Sequence, residues 1–175
     1  MNKKIAFLLI AVISVSSVAG TAAFTSGQVD RQATVQVAGD DAALTGLAPG
    51  ATDLVYHDAS NELQIDFSQV TASGVNANST YTLGDKSAAN ETYAFNVTNN
   101  YNTQYKYTFD YAFDQNTNGG NVSFILYDNT GAKVDTASPN SGGSITLTSG
   151  EVGYVVVELD AVDADLSGTL KVTIN

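Results

Sequence analysis

Between Gln104 and Phe113 the chain reads QYKYTFDYAF, and this run constrains the fold more than any other. Tyr105, Tyr107, Phe109, Tyr111 and Phe113 alternate with Lys106, Thr108, Asp110 and Ala112. A period of two puts the five rings on one side of an extended strand. A row of rings of this kind can be a platform for sugars or peptides. In a chain without Trp it reads better as a core face, with the hydroxyls reaching the sheet edge.

Strand patterns recur along the sequence: ELQIDF (62–67), TYAFNVT (92–98), NVSFILYD (121–128), SITLTS (144–149), VGYVVVEL (152–159) and TLKVTI (169–174). DQNTNGG, DNTG and SPNSGG lie between them, rich in residues that accept turn geometry. Short strands separated by such turns predict an all-β, antiparallel sandwich or barrel. Asp greatly outnumbers Glu, which suits turns and short loops better than helices. Only DDAALTGLA (40–48) reads as a short helical turn.

The beginning of the chain reads as an export signal. MNKK is basic, IAFLLIAVI is apolar, and SVSSVAGTAA supplies small residues for cleavage between positions 19 and 23. A retained anchor is the alternative, but the 19 residues from Ile5 to Ala23 are interrupted by Ser14, Ser16 and Ser17. Residues 1–23 are thus expected to leave, 24–38 to form an N-terminal strand, and 39–175 to form one domain. Loss of Lys3 and Lys4 takes the net charge from −11 to −13. That field disfavours nucleic acid and anionic lipid as partners. No second apolar stretch is long enough to cross a bilayer.

Within AAFTSGQVDRQATVQV (22–37), Ala33, Val35 and Val37 alternate with Thr34 and Gln36. A strand at a free end can pair within its own sheet or enter a neighbour's. The sequence pattern leaves both open.

Signals for catalysis are sparse. The chain has no cysteine, which removes thiol catalysis and thiolate metal sites. His57, in LVYHDAS, is the single histidine and stands beside Asp58, without a G-x-S-x-G or H-E-x-x-H motif to support it. It reads as a surface histidine beside a strand, and no enzymatic activity is expected. Asp114, Asn116 and Asn118, and again Asp163 and Asp165, follow the first half of an oxygen-rich calcium loop. Ile125 and Ile174 occupy the twelfth positions, so an EF-hand fails. A β-loop calcium site and a plain polar turn remain the two readings, the second preferred, and no other cofactor is implied. Asn-x-Ser/Thr occurs at Asn78, Asn90, Asn96 and Asn121, candidate glycan carriers in an exported chain. Asn96 and Asn121 fall on or beside strands and need the solvent face.

The order of these motifs resembles a family of exported archaeal domains common in haloarchaea. The matching positions are Ala23, Phe24, Thr25, Ser26, Asp30, Arg31, Val35, Val37, Asp40, Asp41, Leu44, Gly46 and Leu47. The likeness continues through ELQIDF, GVNANSTYTLGD, AFNVTNN and SITLTSGEVGYVVVELD…LSGTLKVTI. That family in turn resembles the TasA and camelysin group of secreted proteins and the bundling-pilus subunits of archaea. The resemblance implies a jelly-roll or Ig-like β-sandwich that polymerises by donor-strand complementation. Phe24, Val29, Ala33, Val35 and Val37 would be the donor residues, and the partner would be a second copy of the chain.

The leading expectation is therefore a cell-surface subunit of an extracellular filament, pilus or biofilm-matrix fibre. The alternative is a monomeric surface module binding calcium or glycans. A type IV-like pilin ranks lower, because KKIAF lacks the small residue expected after the basic one.

Overall fold

The computed structural model describes residues 42–67, 78–116, 120–161 and 166–175, with the backbone alone at 115 and 116. These residues form eleven strands and no helix: β1 (Thr45–Pro49), β2 (Val55–His57), β3 (Leu63–Ile65), β4 (Thr80–Leu83), β5 (Phe95–Asn99), β6 (Tyr105–Asn116), β7 (Asn121–Tyr127), β8 (Lys133–Ala137), β9 (Gly143–Leu147), β10 (Val152–Asp160) and β11 (Leu166–Ile174). All pairings are antiparallel. A large sheet runs β1-β5-β10-β7-β8, with β4 joined to the far half of β10, and a small sheet runs β11-β6-β9. The β2–β3 hairpin stands apart as a two-stranded sheet.

The two larger sheets share one apolar core. Phe95, Val97, Phe124, Leu126, Val155 and Val157 enter it from the large sheet, and Tyr107, Phe109, Ile145 and Leu147 from the small one. The expected core face of QYKYTFDYAF is thereby realised: Tyr107 and Phe109 are fully buried, Tyr105, Tyr111 and Phe113 half-buried. Tyr111 reaches Phe124 on the opposite sheet, ring centres 5.2 Å apart.

Three consecutive valines, Val155 to Val157, are all buried, which alternation alone does not explain. β10 is an interior strand covered on both faces. Val156 packs outward against Ala89, Ile125, Tyr127 and Tyr154 in a second, smaller cluster. The segment between β4 and β5 contributes Ala89 and so roofs part of the outer face.

The short helical turn expected over 40–48 is not formed by its described part. Residues 42–44 make a turn, and Thr45–Pro49 form β1, paired with β5 from Thr45↔Asn99 to Pro49↔Phe95. Non-local pairing wins over weak helical preference here, and Pro49 sits on an edge strand, where its missing N–H is tolerated. Asn100 holds the entry to β1: its side-chain amide donates to the Ala43 carbonyl (2.8 Å), and its backbone N–H donates to Leu44 O (3.0 Å).

Aspartates act as the turn formers that composition suggested. Asp58, Asp85 and Asp128 each accept from the backbone N–H two residues on, at 2.8 to 2.9 Å. The Thr130 hydroxyl and the Ala132 and Thr130 amides together lower the Asp128 pKa. Asp85 is lowered in the same way, chiefly by the Ser87 hydroxyl.

Candidate assembly edge

The two long sides of the core are finished differently. On one side β8 turns into β9 through a tight corner, with Ser138 and Ser141 exchanging backbone bonds of 2.8 and 2.9 Å. The Ser144 N–H then donates to Asp135 Oδ2 at 2.8 Å, tying β9 to β8. Gly143 permits the approach: a Cβ there would lie 2.6 Å from Ala137 N. β8 and β9 are end strands of their sheets, and this side is joined by the turn and these contacts.

The opposite side ends on β11. β6 holds it from Leu166↔Asn116 to Ile174↔Tyr107, with a bulge between Ser167 and Gly168. Asn175 and Lys106 continue the ladder with reciprocal bonds of 2.9 and 3.1 Å. The other edge of β11 has no strand partner among the described residues. Nine residues extended make an edge about 30 Å long. The short edges of the large sheet are handled otherwise. His57 Nε2 meets the Leu47 carbonyl at 2.9 Å, so β2 covers β1, and a carbonyl acceptor requires the proton on Nε2. Phe67, beyond β3, packs edge-on to Tyr81 of β4, ring centres 6.4 Å apart.

Burial is incomplete along β11 itself. Leu170, Val172 and Ile174 of β11 point inward yet remain only half-buried. Leu47, Leu54, Leu63, Ile65 and Phe67, from β1 and the β2–β3 hairpin, are half-buried elsewhere at the margin of the same core. Ile145 and Leu147, at the other end of the small sheet, are 3% and 0% exposed. A row of incompletely covered aliphatic side chains beside an unpaired ladder can accept one more extended segment. Pairing would satisfy the ladder and drying would complete the burial, worth up to about 1.5–3 kcal/mol for each side chain taken from exposed to buried. A long edge without cover invites uncontrolled pairing, so proteins normally cover or blunt it.

The sequence-derived sites fall elsewhere or outside view. Phe24, Val29, Ala33, Val35 and Val37 lie outside the described residues, as do residues 1–23, Asn118, Asp163 and Asp165. Asp114 is exposed on β6, and its Oδ2 accepts from the Thr169 hydroxyl at 3.3 Å. The backbone of Asn116 pairs with Leu166, and Asn121 pairs with Asp160, so the β6–β7 and β10–β11 connections leave from the same end of the strands. Among the described residues no group of three acidic or histidine side chains is placed to hold a metal ion. His57 is half-buried and engaged with Leu47, while Asp58 Oδ1 serves the Ser60 and Glu62 amides, so the two do not form a relay.

The four sequons all belong to the large-sheet side. Asn78 and Asn90 are exposed in the segments flanking β4, Asn121 is exposed at the start of β7, and Asn96 points outward, half-buried, from β5. None lies on β11. Sequence reasoning missed Asn99, the fully buried polar side chain among the described residues. Its Nδ2 donates to the carbonyls of Thr103 (2.8 Å), Leu147 (2.9 Å) and Thr148 (3.1 Å), and its Oδ1 accepts from the Tyr101 N–H (3.0 Å). It joins the end of β5 to the end of β9, a link between sheets that no local pattern announces.

Comparison with family models, curated proteins and solved structures finds no match for this chain. Among the described residues no helix is long and apolar enough to cross a membrane.

Proposed function

We propose that this chain is a structural subunit of an extracellular filament, pilus or matrix fibre, assembled head to tail by donor-strand complementation. The domain is read as a jelly-roll or Ig-like sandwich. Two antiparallel sheets sharing one core support that reading, as does a strand order in which sequence neighbours are seldom sheet neighbours. The observation that carries the function is the β11 edge, without a strand partner among the described residues, together with its half-buried Leu170, Val172 and Ile174. Residues 24–37, freed by removal of the export signal, supply the missing strand to the next copy, with Phe24, Val35 and Val37 filling the thin core. A donated segment makes a heterologous contact that does not close, so copies add into a fibre. Glycans on Asn78, Asn90, Asn96 or Asn121 would coat the large-sheet side and leave this edge free.

The test is to purify the protein from the cell surface, sequence its N-terminus, and image it by negative stain beside a chain lacking residues 24–37. Fibres from a cleaved wild type, absent from the truncation, are the expected result. A cleaved wild type that stays monomeric at high concentration and high salt contradicts assembly.

A further inference from the structure

β11 is not the only strand edge of this domain, and the edges are not alike. β8 ends the large sheet and β9 ends the small one, so both present an outer edge at the same corner. Val134 of β8 is 49% exposed, a large apolar side chain beside an edge where another strand could lie. Such an edge invites pairing with other chains unless something blunts it.

Asp135 stands at that corner. Its Oδ1 accepts from the Thr136 N–H and its Oδ2 from the Ser144 N–H, both at 2.8 Å. Alternate residues of an antiparallel end strand turn their N–H away from the ladder, and these are the donors that an added strand would take. One carboxylate therefore holds an outward donor from each of the two end strands. Gly143 brings β9 against the same stretch of β8, beside Ala137 N. The β7–β8 ladder also breaks register at Val134, next to the exposed Lys133. β11 has no such clasp among the described residues: Asp114, beside it, accepts from the Thr169 hydroxyl and not from a β11 amide.

We infer that Asp135 is the specificity-determining residue of assembly: by holding the β8 and β9 edges shut, it restricts strand pairing between copies to β11. That β11 is the accepting edge rests on the assembly reading above; the closing of β8 and β9 stands without it. The plainer role for an aspartate here is to form a turn, and Asp58, Asp85 and Asp128 fill that role, each serving amides two to four residues on. Asp135 differs in reaching from one sheet to the other, to an amide nine residues away.

The experiment is amide hydrogen exchange on the full mature chain across a dilution series, read separately at 133–137 with Ser144 and at 166–174. In the wild type, exchange at 133–137 and at Ser144 should not change with concentration. In Asp135→Ala, Thr136 and Ser144 should exchange about tenfold faster at low concentration, the scale of one lost hydrogen bond, and 133–137 should become protected as concentration rises. Adding Val134→Lys to Asp135→Ala should abolish that concentration dependence while fast exchange on dilution remains, which separates an opened edge from general loosening. Asp135→Asn keeps the size of the side chain and one accepting oxygen. It should show the same changes at smaller amplitude, and it carries the test if Asp135→Ala does not fold. Concentration-independent exchange at 133–137 in a folded Asp135 variant, or concentration-dependent protection there in the wild type, would overturn the inference. Absence of concentration dependence at 166–174 in the wild type would count against the assembly reading instead.

Discussion

The β8–β9 side and the β11 side of this domain are built from similar residues and finished to different standards. At the β8–β9 corner, a hairpin, the Asp135–Ser144 bond and the close approach at Gly143 leave Ile145 and Leu147 dry. At β11, Leu170, Val172 and Ile174 have the right pattern and the right face but no further strand beside them among the described residues. The difference teaches that hydrophobic patterning sets which face is inward, whereas closure depends on what lies beside the strand. A side left unfinished within a well-packed domain is where an extra strand gains most.

That contrast can be broken by core truncations. Phe109→Ala, on the fully paired β6, should cost about 3–5 kcal/mol in denaturant unfolding. Val172→Ala, on the unfinished side, should cost about 1 kcal/mol or less in a chain lacking residues 24–37, since its side chain is already partly exposed. Equal losses would mean that the two sides are equally packed. Asn99→Ala should come next in size, at about 2–3 kcal/mol, because Leu147 O, Thr148 O and the Tyr101 N–H lose their partner together. Its effect should be matched in unfolding by probes on both sheets, as expected of a link between them.

Most of the strand content was legible in advance. QYKYTFDYAF, NVSFILYD and VGYVVVEL became β6, β7 and β10 because long alternating or apolar runs have few other folds open to them. ELQIDF likewise held β3, whereas the three-residue β2 and the four-residue β4 are too short to carry a period. β1 was read as a helical turn because DDAALTGLA has the composition of one, and only its pairing with β5 decides otherwise. The edge status of β11 was not legible at all. TLKVTI looks like any strand, and its exposure follows from a strand order fixed by contacts distant in sequence.

Smaller effects sharpen the picture at the turns. The Asp128 carboxylate is lowered by its turn partners, so it stabilises the fold above the ordinary carboxylate pKa of about 3.9, and that contribution fades as pH falls through the lowered value. Asp128→Ala should therefore cost at most about 1 kcal/mol at neutral pH, discounted for exposure, and progressively less as acid takes the pH through the lowered value. Thermal melts along an acid series check it. Tyr107→Phe should be the mildest, within about 0.5 kcal/mol of wild type, because the buried Tyr107 hydroxyl faces the Thr45 hydroxyl without a well-formed hydrogen bond among the described residues. Its ring, not its oxygen, fills the core.

The central claim is that the free edge of β11 is covered by residues 24–37 of another copy. Amide hydrogen exchange of residues 166–174, followed in the full mature chain and in a chain lacking 24–37, tests it most directly. Slow exchange in the full chain at assembling concentrations is expected, lost both on dilution and in the truncated chain. Equal exchange in the two chains at every concentration would contradict the assembly edge.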